Sequence, residues 1–261
     1  MTTATGVRIF PGQWRPQDPF EQIAWISPPW PCPDHLWLDF PEAIFTDRGL
    51  LYLSHVSPRF PAVFSGLPAV PWQVVADGIR FERRLPDGVC FGGSVTRRRE
   101  GDGADLELHI ENRSDRPLRQ VRLQTCAYLR ALGEFNAPTD ANKFVHLPSR
   151  GWTHLGEAAT FIEETGPYRI GWRGGPSVAD LPVVVATSAG GNRLIAFTWG
   201  RHTYSLIGNP LHPCMHADPA MDDLAPSQRC TMYGRILFLE GGLAALDRLD
   251  WQDPGQRTQE A

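Results

Sequence analysis

The chain has 261 residues and a formal net charge of −4, and 42% of its residues are hydrophobic while 21% are charged. This composition fits one globular domain with a large core, and the acidic balance excludes the basic surface that nucleic-acid binding requires. The 24 prolines and 25 glycines exclude a mainly helical protein, because both residues interrupt helices.

The N-terminal region has neither the charged start nor the apolar run of a signal peptide, and no segment approaches the roughly 20 apolar residues of a membrane span. We therefore expect a cytoplasmic protein without a membrane partner. The run SPPWPCPDH predicts that residues 1–50 form an irregular arm around a single domain spanning residues 1–261. The five cysteines form no CxxC pair, which argues against a disulfide framework and against a zinc ribbon.

Short apolar or alternating runs follow one another along the chain and are separated by turn clusters such as LPDG, EGDGAD and SAGGN. Examples of the runs are LWLDF, GIRFERRL, VVVAT and RLIAFTW. This pattern is typical of antiparallel strands and predicts an all-β fold. The only good helical period lies in GGLAALDRLDW, so we expect a short covering helix at residues 241–250.

The run from Arg122 to Arg130 alternates most clearly. Leu123, Ala127 and their neighbours of the same parity form an apolar face, while Gln124, Cys126 and Tyr128 share a polar face. A solvent-exposed strand would give the same pattern. The polar loop that follows, GEFNAPTDANKFVH, is nevertheless long enough to reach over a groove, and this favours a binding surface.

The stretch DLELHIENRSDRPLRQVRLQTCAYLRAL resembles the strand–turn–strand unit of the galactose mutarotase-like β-supersandwich, and LAPSQRCTMYGRILFLEGG resembles its closing strand. The resemblance covers roughly residues 75 to 240 as architecture. It implies an antiparallel β-supersandwich whose concave face binds sugars, as in epimerases, polysaccharide lyases and accessory domains of glycosidases.

The resemblance does not extend to the family's catalytic histidine. At that place this chain reads Gln124-Thr125-Cys126-Ala127-Tyr128, so that Cys126 or a neighbour stands where the imidazole is expected. A thiol of ordinary pKa cannot take the role of a neutral imidazole that protonates a ring oxygen. A plain aldose 1-epimerase is therefore disfavoured.

The segment HPCMHADP places His212 and His216 four residues apart, with Asp218 two residues later. On a turn these three side chains could converge as ligands of a divalent cation such as Zn, Mn or Ca, although the HExxH context is missing. They could equally serve acid–base chemistry without a metal, or only hold the turn. His202 and Glu134 are further candidates for the catalytic centre, and nothing indicates a nucleotide cofactor.

Other residues are candidates for sugar contacts. Gln124, Tyr128 and Arg130 belong to the polar strand or its end, and His55 follows the run LLYLS. Arg59 could bind the carboxylate of a uronic acid, and Trp199 could offer an indole platform for a pyranose ring, although core packing is the commoner use of a tryptophan.

Three hypotheses follow from the sequence. The first is an enzyme that acts on a sugar or a uronic-acid-containing glycan by acid–base chemistry of the lyase or epimerase type, or with a metal. The second is a non-catalytic carbohydrate-binding or assembly protein. The third is a cupin-like, metal-dependent sugar isomerase. The partner in each case is a mono- or oligosaccharide, and the oligomeric state is left open.

Overall fold

A computed structural model describes residues 6–18, 20–137, 140–161, 165–171 and 177–252. Its first sheet contains β1 (Ile9–Gly12), β2 (Ile23–Ile26), β3 (Leu36–Thr46), β4 (Gly49–Leu53), β9 (Arg122–Tyr128), β12 (Tyr168–Ile170), β13 (Val178–Ala179), β16 (Thr203–Gly208) and β17 (Cys214–Pro219). The second contains β5 (Gln73–Val75), β6 (Gly78–Arg84), β7 (Val89–Arg97), β8 (Gly103–Asn112), β10 (Lys143–Leu147), β11 (Gly151–His154), β14 (Val183–Thr187), β15 (Arg193–Thr198) and β18 (Arg229–Glu240).

The strands of the first sheet follow the order β1-β2-β3-β9-β17-β16-β12-β13, and β4 pairs with β3. The second sheet has the order β11-β10-β14-β15-β18-β8-β7-β6-β5. The described strands pair antiparallel, except that β12 runs parallel to β16. Nine strands in each sheet make a supersandwich, whereas the jelly roll of a cupin has about eight strands in total. The predicted all-β supersandwich is confirmed.

The main core lies between the two sheets. In β6 the alternation buries Ile79, Phe81 and Arg83 and leaves Arg80 and Glu82 outside, as a strand period of two requires. The guanidinium of Arg83 donates hydrogen bonds to the backbone carbonyls of Pro68 and Phe20, which offset part of the cost of burying its charge. Another polar contact on the inner face, between the indole N–H of Trp199 and the hydroxyl of Thr125, is also a hydrogen bond.

The helices are short. An α-helix, α1, spans Leu155–Ala158, and three 3-10 helices span Asp140–Asn142, Gly200–His202 and Leu243–Arg248. The last of these covers a second apolar cluster around Leu246 and Trp251 on the outer face of the second sheet. The expected C-terminal covering helix is therefore present as a 3-10 helix. No helix among the described residues has the length and apolar character needed to cross a membrane.

The N-terminal region is more regular than the sequence suggests. Four strands, β1 to β4, lie within residues 9–53 and extend the first sheet by pairing with one another and with β9. The prolines of SPPWPCPDH occupy only the connection between β2 and β3. The residues on either side, IAWI and LWLDF, remain free to pair across that connection.

Candidate functional site

Two adjacent strands of the first sheet form the floor of the candidate site. β9 and β17 pair antiparallel, with Cys214 opposite Tyr128 and His216 opposite Cys126. Since successive side chains of a strand point to opposite faces, Cys214, His216 and Asp218 share the outer face that carries Gln124, Cys126 and Tyr128. The late histidine segment and the mid-chain polar strand thus meet on one surface.

An irregularity in β3 adds two carboxylates to this surface. Asp39 lies opposite Cys126 and Ala43 lies opposite Gln124. Between these two pairs β3 advances by four residues while β9 advances by two, so β3 contains two extra residues. In a regular strand Asp39 and Glu42 would point to opposite faces, whereas here their carboxylates lie within 4.8 Å of each other and of a nitrogen of His55. Register shifts of this kind re-aim side chains and are frequent next to active sites.

The N-terminal segment brings a buried cation to these acids. Nη1 of Arg15 lies 3.1 Å from Oδ2 of Asp39 and 3.2 Å from Oε2 of Glu21. Trp14 stacks on Tyr128 with a ring-centroid distance of 4.4 Å. These contacts hold Trp14, Arg15 and Glu21 against the polar face and keep water from the carboxylates.

The turn after β4 completes the arrangement. The hydroxyl of Ser54 donates a hydrogen bond to Oδ2 of Asp39 at 2.7 Å, and Nδ1 of His55 lies 3.4 Å from the same hydroxyl oxygen. The side chain of His55 therefore has a fixed position beside the two carboxylates. Its neighbours make it a group that can exchange protons with Glu42 or with a bound molecule.

A pocket with a volume of about 600 Å³ opens directly above these groups. Its polar lining consists of Glu42, His55, Ser57 and Gln124, and its apolar walls are Phe45, Leu50, Leu53 and Phe60. Phe45 and Phe60 keep 39% and 62% of their surface exposed. A volume in the range of about 300–1,000 Å³ and apolar walls around a few polar groups are typical of sites for small molecules.

Glu42 lies where the pocket meets the buried cluster. Its Oε2 accepts a hydrogen bond of 2.6 Å from the amide of Gln124 and lies 3.9 Å from Nδ1 of His216. Burial raises the pKa of Glu42 above its ordinary value, although His216 and Arg15 oppose the shift. A pKa moved toward neutrality suits a carboxyl that both accepts and donates a proton.

His216 and Asp218 stand behind Glu42. Nδ1 of His216 lies 3.7 Å from Oδ1 of Asp218, and the same oxygen accepts the backbone N–H of Thr125 at 3.0 Å. Burial disfavours the imidazolium form of His216, but Asp218 and Cys214 outweigh this and raise its pKa well above the usual value. Burial also raises the pKa of Asp218, against the influence of His216.

Asp39 and His55 are perturbed in opposite directions. Burial raises the pKa of Asp39 to about 7 even though Arg15 favours the charged form. Burial, assisted by the charge of Arg15, lowers the pKa of His55 to about 4, so that the imidazole is neutral at pH 7. A neutral imidazole beside weakly acidic carboxyls is an acid–base set.

Cys126 and Cys214 lie next to each other as free thiols. Their mutual hydrogen bond raises the pKa of Cys126 and lowers the pKa of Cys214 to about 4. Nε2 of His216 lies 3.6 Å from Sγ of Cys214. Trp14, Trp37 and Tyr128 pack against the pair.

The other residues predicted for the catalytic centre lie apart from this set. His212 is exposed in the turn before β17, and His202 ends the 3-10 helix Gly200–His202, where burial lowers its pKa. The carboxylate of Glu134 forms a 3.0 Å salt bridge with Arg193. The triad His212, His216 and Asp218 is therefore not assembled as one group of metal ligands among the described residues, because β17 begins only at Cys214.

Of the residues predicted to contact the sugar, some lie at the pocket and others lie away from it. Gln124 and His55 line the pocket, and Tyr128 is buried under Trp14. Arg130 and Arg59 are exposed and do not line that pocket. Trp199 is fully buried: it stacks on Phe40, and its indole N–H donates to the hydroxyl of Thr125 at 3.1 Å.

Sequence reasoning missed Glu42, Asp39 and Arg15. For the acids the local signal is misleading, because their spacing of three residues places them on opposite faces of an ideal strand. Arg15 lies 24 residues before Asp39, and no local pattern links them. The sequence does contain a pattern that predicts part of the site. In β17, Cys214, His216 and Asp218 recur at every second residue, which is the period of a strand.

No protein-family model and no curated protein matches the chain. Solved structures that are similar to it include the Slr1438 protein of Synechocystis sp. PCC 6803, with 10% identity and a TM-score of 0.42 over 91% of this chain and 98% of the other. The α-N-acetylgalactosaminidase NagBb of Bifidobacterium bifidum has 10% identity and a TM-score of 0.51, and the match covers 92% of this chain and 36% of that enzyme.

A galactose mutarotase-like protein of Clostridium acetobutylicum is also similar, with 11% identity and a TM-score of 0.40 over 79% of this chain and 80% of the other. At this level of identity the likeness concerns the fold.

Proposed function

We propose that this protein is a carbohydrate-modifying enzyme in which Glu42 and His55 transfer protons to and from a sugar bound in the pocket. The observation that carries the proposal is the meeting of these two side chains, within 4.8 Å, at the wall of a pocket of about 600 Å³.

The substrate class is inferred from the fold and from the walls of the pocket. NagBb shares the fold and is an α-N-acetylgalactosaminidase, although this chain spans only 36% of its length. Phe45 and Phe60 present aromatic surface at the pocket, and such surface packs well against the C–H face of a pyranose. Gln124 and Ser57 offer hydrogen-bonding groups for hydroxyls.

The reaction type is inferred from the acid–base pair. An epimerase or lyase removes a proton from the carbon next to a carbonyl or carboxylate, and a second group then delivers a proton to the other face of that carbon or to the leaving oxygen. Glu42, whose pKa is raised by burial, and His55, which is uncharged at pH 7, are the two groups that take up and deliver these protons. Asp218 and His216 hold the surroundings of Glu42.

The test uses a panel of free hexoses, hexuronic acids, N-acetylhexosamines and oligouronates, incubated with the protein in D₂O and followed by NMR. We expect deuterium uptake, epimer formation or an unsaturated product from at least one member. Glu42→Gln and His55→Gln should each lower kcat by about 10²–10⁴-fold, the usual contribution of a general acid or base. Glu82→Gln, the same exchange on the other sheet, should leave turnover unchanged.

Two results would contradict the proposal. One is binding of a sugar by the wild-type protein without conversion of any member of the panel, which would support the non-catalytic binding function instead. The other is full turnover in Glu42→Gln or in His55→Gln. Circular dichroism of each variant establishes that a loss of turnover is not a loss of fold.

A further inference from the structure

Cys126, Cys214 and His216 form a compact group of soft ligands. One ligand atom from each, the two Sγ atoms and a ring nitrogen, lie within 4.8 Å of one another, and all three side chains are buried. They come from only two strands, β9 and β17, which are hydrogen-bonded neighbours. The sheet therefore fixes their mutual positions, as a preformed binding site requires.

The distance between Cys214 and His216 matches a tetrahedral zinc site. Zinc–sulfur and zinc–nitrogen bonds of about 2.3 Å and about 2.0–2.1 Å place sulfur and nitrogen ligands roughly 3.6 Å apart at the tetrahedral angle. Nε2 of His216 and Sγ of Cys214 are 3.6 Å apart. Without an ion, the same distance accommodates a hydrogen bond between the thiol and the imidazole.

The second nitrogen of His216 has the environment that metal-bound histidines have. Nδ1 lies 3.9 Å from Oε2 of Glu42 and 3.7 Å from Oδ1 of Asp218. A histidine that ligates a metal through one nitrogen almost always directs the other N–H toward a carboxylate or carbonyl, which orients the ring. Asp218 is itself fixed by the backbone N–H of Thr125.

The surroundings also suit a dication. Glu42 and Asp218 lie next to His216, and Arg15 and Lys143 are cations near these groups. Both cations have acidic neighbours, since Arg15 binds Asp39 and Glu21 while Lys143 is influenced by Asp140. On the other side, Trp14, Trp37 and Tyr128 give the two sulfur atoms an apolar cover.

We propose that Cys126, Cys214 and His216 bind one zinc ion. Thiolate and imidazole ligands select zinc over magnesium and calcium, which prefer oxygen. Three protein ligands leave a fourth position for a water molecule or a substrate group, as in catalytic zinc sites. This metal site does not depend on the acid–base function proposed for Glu42 and His55, and the experiment below has no activity readout.

The test titrates Co(II), a spectroscopic substitute for zinc, into chelator-treated and reduced protein. We expect one equivalent to produce a thiolate-to-cobalt charge-transfer band in the near ultraviolet and the visible bands of a tetrahedral complex. One equivalent of Zn(II) should abolish both. Cys126→Ser and Cys214→Ser should each lower the charge-transfer intensity by about half. Each should also weaken binding by at least the roughly 10–100-fold that the loss of an outer-shell partner alone causes.

Matched controls are the same exchange at Cys90 and Cys230, which lie on the second sheet; these variants should bind cobalt as the wild type does. If a serine variant fails to fold, thiol labelling of the wild-type protein decides the matter. Zinc should protect Cys126 and Cys214, but not Cys230, from iodoacetamide in a brief unfolding pulse followed by peptide mapping. Absence of stoichiometric metal, a cobalt spectrum without the charge-transfer band, or equal labelling with and without zinc would overturn the proposal.

Discussion

The outer faces of the two sheets both carry a histidine beside a carboxylate, but the two carboxylates differ in their exposure to solvent. On the first sheet His216 and Glu42 keep 3% and 12% of their side chains exposed. On the second sheet Nε2 of His109 lies 2.8 Å from Oε2 of Glu82, and 52% of the glutamate is exposed. Burying ionisable groups is costly unless they are paired. The first sheet therefore carries the larger cost, because its carboxylate is buried together with its histidine.

The difference has a structural cause. The first sheet is covered by the segment around Trp14 and Arg15 and by the turn at Ser54 and His55, which remove the carboxylates from water. On the second sheet the 3-10 helix Leu243–Arg248 covers only the apolar cluster around Leu246 and Trp251. The polar part of that sheet is left open and follows the ordinary pattern of a solvent-facing surface.

The largest effect that separates the two faces is expected from removal of a buried cation. Arg15→Ala leaves Asp39 and Glu21 buried without their partner, and loss of one member of a buried ion pair costs about 3–5 kcal/mol. The matched change on the second sheet, Arg113→Ala, removes a half-exposed partner of Glu111 that water already screens, and it should cost much less. Urea unfolding of both variants measures the difference. Equal losses of unfolding free energy would show that the network around Arg15 contributes no more than an exposed ion pair.

The sequence predicted the second sheet and the inner face of the first better than it predicted the site. Alternation correctly separates Leu123 and Ala127, which are in the core, from Gln124 and Cys126, which lie on the outer face of the sheet. It succeeds because burial on one face of a regular strand imposes a period of two. The period also predicts that Gln124 and Cys126 share a face with a binding role, and Gln124 does line the pocket.

Prediction failed where the strand is irregular or the contact is distant. The register shift in β3 is a property of the pairing with β9, so the sequence around Asp39 and Glu42 alone cannot show that both acids face one way. The turn before β17 excludes His212 from the strand that carries His216, although their positions in the chain differ by four, an even number. Arg15 reaches Asp39 only through the tertiary fold.

A smaller effect should appear in the pH dependence of stability. Burial holds the pKa of folded His55 at about 4, against 6.5 as the reference value. Between these two pH values His55 is protonated in the unfolded chain but not in the folded protein. His55 therefore lowers the free energy of unfolding as the pH falls from 6.5 to 4.

His55→Gln should therefore lose less stability than the wild type over that interval, while the offset between the two proteins stays constant above pH 7. Urea unfolding at intervals of half a pH unit gives both curves, and their difference cancels the titration of the carboxyl groups. Curves that remain parallel down to pH 4 would mean that His55 is solvated in the folded protein and that its pKa is not lowered there.

The smallest effect is expected on the open face. Glu82→Gln removes the charge opposite His109, but water already screens this half-exposed carboxylate, so the free energy of unfolding should change by less than about 1 kcal/mol. His109 keeps a hydrogen-bond partner, because the amide oxygen of glutamine can still accept from Nε2. A loss from Glu82→Gln as large as that from Arg15→Ala would remove the contrast between the faces. The groove around His109, which has a volume of about 400 Å³ and is also lined by Arg80 and Arg229, would then have to be considered a second binding site.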